Sequence, residues 1–293
     1  MKKLVLFLAA IALISSYCWA AELEYFQAYK PKEGMSADEI MQIEYFVKYT
    51  RFAHDVDMGG KAYFIDKSGS TRERETARLR ITLGRKSDDI AYKDLAMFTS
   101  PQVKGLATLT WTYMNPKRQS DSWLWIPSLK KIKKISQANA DDSFMGSDFT
   151  NEDILTRRFE DETYKLVGEE NFKGYTCEYD KKIYYKGAPC FVIEAKPKNS
   201  PWYYSKRILW VDKNTGGGIY EEMYDPLGRM FKVIFKDYEI IKVNGKDYPE
   251  QILLEVKDLR TGHRTVIINT DIKFDTGLSE ELFSERALMQ SRW

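Results

Sequence analysis

Five acidic side chains, Asp141, Asp142, Asp148, Glu152 and Asp153, crowd one short tract of this chain. Two carboxylates flanking a scissile bond are the minimum equipment for glycosidase-type acid–base hydrolysis, so this tract is the place to look for catalysis or for a bound cation. Its spacing does not follow a calcium-binding loop, which needs alternating acidic ligands ending in a bidentate glutamate. Thr150 and Asp153 instead have the spacing of a capping box, which reads the tract as a solvated loop leading into a short helix. His54 and His263 are the only imidazoles and lie far apart in sequence. The chain has no GxSxG, no HExxH, no phosphate-cradling glycine loop and no dinucleotide fingerprint. The expectation is a binding protein rather than an enzyme, with no cofactor and no metal.

Two other residue sets fit binding. Arg72, Arg74, Arg78 and Arg80 recur at even spacing, so an extended chain puts them on one face. That face is either solvated or supplies a buried arginine that grips a carbonyl or phosphate, which makes all four candidates for a polar headgroup. Candidates for an apolar cavity are Ile40 and Phe46 on a helix, with Trp111, Trp123, Trp125, Tyr203, Trp210 and Phe235 on strands. The same rings serve equally as ordinary core and cross-strand pairs. Lys130, Lys131, Lys133 and Lys134 read as a lysine-blunted strand edge or as a contact for anionic lipid, which implies transient membrane contact.

The elements that position these residues are mostly strands. RETARLRITL (74–83), SKRILWVDK (205–213), MFKVIFKDYEII (230–241), EQILLEVKDL (250–259) and HRTVIINTDIKF (263–274) alternate polar and apolar residues. Asn214 to Gly218, Asp225 to Gly228, Asn244-Gly245 and Thr261-Gly262 punctuate them as turns, giving an antiparallel meander. Trp123 and Trp125 share a strand face, and Pro127 ends that strand. Ser36 with Glu39 caps a helix whose Ile40, Ile43, Phe46 and Val47 form one stripe, and a second short helix starts near Ser279. The fold expected is mainly β: a strongly curved antiparallel sheet, a half-open barrel, with a few helices covering its concave side. An incompletely filled concavity becomes a pocket.

Lys2 and Lys3 followed by the apolar run Leu4 to Ile14 read as a signal peptide over residues 1–20, cleaved after Ala20. Residues 21–293 then form a single domain, exported and periplasmic. Removing the two lysines takes the formal charge from +2 to 0, which leaves no general attraction for nucleic acid. Cys177 and Cys190 remain as an even pair in an oxidising compartment and are expected to form a disulfide.

The run WLWIPSLKKIKKIS followed by DDSFMGSDFTNED resembles the outer membrane lipoprotein-sorting protein family, LolA/LolB-like carriers. The resemblance extends from SADEI through KGLATLTW, ILWVDKNTGG and YDPLGRMFKV to INTDIKFDTGLSEELF, nearly the whole mature chain. It implies a half-open barrel closed by helices over an apolar cavity. It also implies a lipid or the acyl chains of a lipoprotein as cargo, carried through the periplasm between membranes, an RND-type inner-membrane transporter as partner, and a place among proteins that serve the outer membrane. Such carriers hold an arginine near the cavity mouth, for which Arg72, Arg74, Arg78 and Arg80 all stand as candidates. The alternatives are an adaptor or structural protein of an envelope transporter with a filled interior, and a hydrolase using the Asp141–Asp153 carboxylates.

Overall fold

The computed structural model describes residues 30–50, 52–84, 89–115, 117–135, 140–243 and 245–290. The leader expected over residues 1–20 and its expected cut after Ala20 lie outside the described residues, as does Asn244.

The chain leaves the helix α1 (Ala37–Lys48) and builds six strands in succession: β1 (Asp55–Ile65), β2 (Thr71–Thr82), β3 (Ile90–Phe98), β4 (Ala107–Tyr113), β5 (Asp121–Ile126) and β6 (Lys131–Ile135). It then crosses through residues 140–161 to β7 (Glu162–Asn171) and a small hairpin, β8 (Tyr175–Thr176) with β9 (Ile183–Tyr184). Six more strands return: β10 (Pro189–Pro197), β11 (Lys206–Asp212), β12 (Gly218–Tyr224), β13 (Met230–Val243), β14 (Lys246–Asp258) and β15 (Arg264–Phe274). A single turn over Glu280–Phe283 and the helix α2 (Glu285–Gln290) close the described chain.

Thirteen strands make one sheet in the order β6-β5-β4-β3-β2-β1-β15-β14-β13-β12-β11-β10-β7. Two meanders, β1 to β6 and β7 to β15, are thus joined at the middle by antiparallel pairing of β1 with β15. β6 and β7 are the free edges, and the sheet does not close into a barrel. The turns that the glycines mark fall where the sequence puts them: Gly228 (φ 77°), Gly245 (φ 77°) and Gly262 (φ 75°) all take positive φ.

The curvature follows from what α1 touches. Ile40, Met41 and Tyr45 pack with Phe191 and Leu209 of β10 and β11, while Tyr49, just past the helix, stacks on Tyr92 of β3 at 5.6 Å. β3 and β11 stand seven strand intervals apart, about 34 Å across a flat sheet. One short helix reaches both only if the sheet wraps around it. The capping box at Ser36 is present: Glu39 N–H donates to Ser36 Oγ at 3.3 Å, and the Glu39 carboxylate accepts Ser36 N–H at 2.8 Å. Rather than a single apolar stripe, all of Ile40, Met41, Ile43, Glu44, Tyr45, Phe46, Val47 and Lys48 are buried, as befits a helix enclosed by the sheet. The Asn214–Gly218 turn explains its glycines. A Cβ on Gly217 would lie 2.5 Å from the Tyr238 ring, and one on Gly218 would lie 2.9 Å from Glu44 of α1.

The other face is covered at two places. Phe283 and Leu288 sit on Leu95, Leu109, Trp123 and Trp125, and Trp111 Nε1 donates to the Phe283 carbonyl at 2.9 Å. The β8–β9 hairpin lays Tyr175 on Phe235 at 4.6 Å. The disulfide expected between Cys177 and Cys190 is corrected here: both are free, fully buried thiols. Cys177 is held in the hairpin turn by its backbone bonds to Lys181 and Lys182, and Cys190 lies on β10 opposite Asp212. Burial pushes both thiols up to about 12, so they behave as small apolar side chains within one cluster.

Candidate functional site

The acidic tract turns inward. Residues 140–157 lie across the inner face of the sheet as a plug. Phe144, Phe149 and Leu155 are buried against Ile234, Leu254 and Val256 of β13 and β14. Thr150 and Asp153 make the expected capping box: Thr150 N–H donates to Asp153 at 2.9 Å, and Asp153 N–H donates to Thr150 Oγ1 at 3.2 Å. The five carboxylates part company. Asp141 and Asp142 are exposed, and Asp148 accepts the Thr265 hydroxyl at 2.8 Å. Glu152 and Asp153 enter a buried ionic network. Asp153 meets Lys232 at 2.8 Å and Arg157 at 3.0 Å, while Arg157 also faces Glu152 (3.6 Å) and Glu221 (3.7 Å). Glu221 in turn forms an ion pair with Arg207 at 2.9 Å. Burial works to raise Asp153, yet Lys232 and Arg157 hold it far below the usual carboxylate range. Glu221 is likewise held at about 2 by Arg207 and Arg157 against its burial. Asp153 and Glu221 are thus each engaged by cations, an arrangement that disfavours either as a proton donor.

Two spaces lie beneath the plug. The smaller, about 380 Å³ counting open solvent, is polar and bounded by Lys48, Arg157, Glu221, Lys236 and Gln251. The larger encloses about 650 Å³, again counting open solvent, and its walls are mostly apolar. Its roof is Phe144, Met145, Ser147 and Ile154 of the plug. Its floor is five adjacent strands, β3-β2-β1-β15-β14, through Phe98, Ala96, Ala62, Phe64, Ile267 and Leu254. Ala62 and Ala96 explain the space: short side chains under a plug that bridges over them leave a void. Arg78, Ile154 and Leu254 border both spaces.

The four arginines share the inner face and divide into two pairs along it. Arg78 and Arg80 share Asp94: Arg78 Nε and Nη2 reach it at 3.1 and 3.0 Å, and Arg80 Nε at 2.6 Å. Arg80 also donates to the Tyr49 carbonyl at the end of α1. Arg72 and Arg74 stand at the outer end of β2, opposite Phe64 and Ala62 of the pocket floor.

The eight side chains expected to line a cavity are placed elsewhere. Ile40 and Phe46 pack α1 into the sheet. Trp111, Trp123 and Trp125 face the C-terminal segment on the outer side. Trp210 contacts Tyr220 at 5.2 Å, Phe235 lies under the hairpin, and Tyr203 reaches the plug, 3.3 Å from Thr150 Oγ1. The pocket floor went unread because it is marked by small residues rather than by rings. Gly60, Ala62 and Ala96 at neighbouring register positions are the signal that was there to find. Of the lysine run, Lys134 pairs with Asp121 at 2.6 Å, and Lys130, Lys131 and Lys133 are exposed along edge strand β6. Among the described residues, no group of three or more His, Cys, Asp or Glu side chains is arranged to hold a metal ion.

A family model described as an uncharacterized protein matches residues 91–290. The chain belongs to this family. Among solved structures, the chain is similar to a proposed outer membrane lipoprotein-sorting protein domain from Vibrio parahaemolyticus, at 25% identity and a TM-score of 0.71, covering 86% of this chain and 98% of that one. A DUF1329 family protein from Desulfovibrio piger is similar at 25% identity and a TM-score of 0.71, over 86% of this chain and 99% of the other. A LolA superfamily protein from Nitrosomonas europaea shares the fold at 17% identity and a TM-score of 0.60, over 87% of this chain and 100% of its own. No curated protein matches. The fold is that of the LolA-like lipoprotein-sorting proteins, as the central tract implied.

Proposed function

We propose that this protein is a periplasmic carrier that shelters an acyl chain of a lipid or lipoprotein between the plug and the sheet, without chemical conversion of the cargo. The observation that carries the reading is the apolar pocket under Phe144 and Met145, about 650 Å³ when open solvent is counted. It lies in a fold shared with a proposed lipoprotein-sorting domain. Each methylene moved from water into such a pocket gains about 0.8 kcal/mol, which is enough to make an aqueous crossing feasible for one chain. An RND-class transporter of the inner membrane is the exchange partner in this reading, and the leader ending at Ala20 delivers the protein to the compartment where they meet. The rival hydrolase reading is disfavoured by the ion pairs on Asp153 and Glu221.

The test is native mass spectrometry of protein isolated from the envelope, followed by uptake of a neutral naphthylamine probe by the delipidated protein. Bound lipid and saturable uptake are expected. Ala96→Trp, which fills the floor, is expected to abolish both while the thermal midpoint stays near wild type. Delipidated protein that takes up no acyl probe sinks the proposal.

A further inference from the structure

The β8–β9 hairpin is fixed to the sheet on the face away from the plug and lines neither space beneath it. Tyr175 and Tyr184 pack on Phe235 at 4.6 and 5.2 Å, Tyr179 lies 4.7 Å from the Tyr63 ring on β1, and the Tyr185 hydroxyl accepts the Tyr238 N–H at 2.7 Å. Successive side chains of a strand point to opposite faces, so once Tyr175 and Tyr184 face the sheet the next register pair, Thr176 with Ile183, faces solvent. Ile183 is 61% exposed. Lys186 is its neighbour: both flank Gly174, where a Cβ would lie 3.1 Å from each. Lys173, Lys181 and Lys182 are exposed on the same hairpin. Its two carboxylates are already engaged. Glu178 pairs with Lys257 at 3.0 Å and with Arg264, while Asp180 accepts the Tyr184 hydroxyl at 2.7 Å and pairs with Lys182 at 3.6 Å. Among the described residues, Lys173, Lys181 and Lys186 have no ion-pair partner.

Three free ammonium groups around one protruding aliphatic side chain suit an anionic partner with a yielding apolar layer. A folded protein partner draws on arginine and on aromatic rings seated in pockets, and lysine is depleted in such interfaces. The hairpin has no arginine, and Ile183 stands out from the surface rather than lining a groove. Lysine heads against phosphates, with an aliphatic tip below them, are the arrangement of a peripheral segment at a bilayer surface. We propose that the β8–β9 hairpin docks the protein on an anionic phospholipid bilayer, with Ile183 entering the headgroup layer and Lys173, Lys181 and Lys186 lying against the phosphates. The site is separate from the apolar pocket and does not rest on the carrier reading. Docking by this face leaves the plug on the far side of the sheet from the lipid.

The test is cosedimentation of protein isolated from the envelope with two kinds of vesicle: equal parts phosphatidylglycerol and phosphatidylcholine, and phosphatidylcholine alone. Each lysine at an anionic surface adds about fivefold to partitioning, so the three give about a hundredfold preference for the anionic vesicles. That preference is expected to vanish in about 1 M salt, where the Debye length is about 3 Å. Lys181→Glu/Lys186→Glu is expected to weaken binding to the anionic vesicles at least about 25-fold, and Ile183→Ser about fivefold. Both variants are expected to keep the wild-type urea midpoint, because the altered side chains are exposed. Lys131→Glu/Lys133→Glu on edge strand β6 is the control and is expected to leave binding unchanged. Equal partitioning onto the two kinds of vesicle overturns the proposal. So does binding that survives Lys181→Glu/Lys186→Glu. Binding lost with the β6 lysines instead puts the contact at that edge and overturns the hairpin. Wild-type binding by Ile183→Ser overturns the insertion of Ile183.

Discussion

Arg157 is 1% exposed, pairs within the plug with Glu152 and Asp153, and ties the plug to the sheet through Glu221. Its backbone carbonyl also accepts the Tyr49 hydroxyl at 2.8 Å. Replacing it by methionine keeps much of the packing but leaves buried Glu152 without its cation, while Asp153 keeps Lys232 and Glu221 keeps Arg207. The expected cost is about 3–5 kcal/mol, measurable as a lowered urea midpoint. Lys236 gives a pH signature. Burial, reinforced by nearby Lys48, depresses it from 10.5 to about 8, even with Glu44 at 3.9 Å. Below pH 8 it is charged in both folded and unfolded chains and the penalty is complete. Between about 8 and 10.5 the folded chain sheds the proton while the unfolded chain keeps it, so this group's contribution to stability rises with pH. Urea titrations are expected to show wild type gaining on Lys236→Met from pH 8 toward 10, and a flat difference would refute the assignment. At this scale the sequence was half legible. Even spacing put four arginines on one face, but nothing local says that Asp94, on the neighbouring strand, takes only the inner two.

The strand bearing Trp123 and Trp125 shows what periodicity can and cannot resolve. Alternation correctly puts both indoles on one side. It carries no sign, however, and cannot tell the concave side from the convex one. The answer comes from the C-terminal segment, whose Phe283 and Leu288 settle on that side. Leu288→Ala is expected to cost about 2–5 kcal/mol and to shift tryptophan emission to longer wavelength as Trp111 and Trp123 gain water. An unchanged spectrum would mean that the segment does not seal the indoles. The plug was legible as a capped loop through Thr150 and Asp153, but its position inside the sheet was not. Its apolar residues, Phe144, Phe149 and Leu155, follow no strand or helix period that would announce burial.

For the whole molecule, the turns made the two meanders readable, whereas the seam between β1 and β15 depends on residues about two hundred positions apart and left no local mark. A protease site inserted at the exposed bend between Gly146 and Ser147 tests this architecture. The cut protein is expected to migrate as one species, because the seam still joins the halves, yet to lose any retained lipid along with the pocket roof. Separation of the fragments without denaturant would contradict it. The course of the chain has a further consequence. It starts at the centre of the sheet, runs to one margin, spans the hollow, and comes back from the other margin. Residues 140–161 are thus the chord of an arc whose two ends they tether. A chord and its arc cannot change independently: a guest that lifts the bridge must draw the margins together or let them spread. Loading should therefore register as a change in the span of the whole protein, visible by small-angle scattering and not only as a local contact.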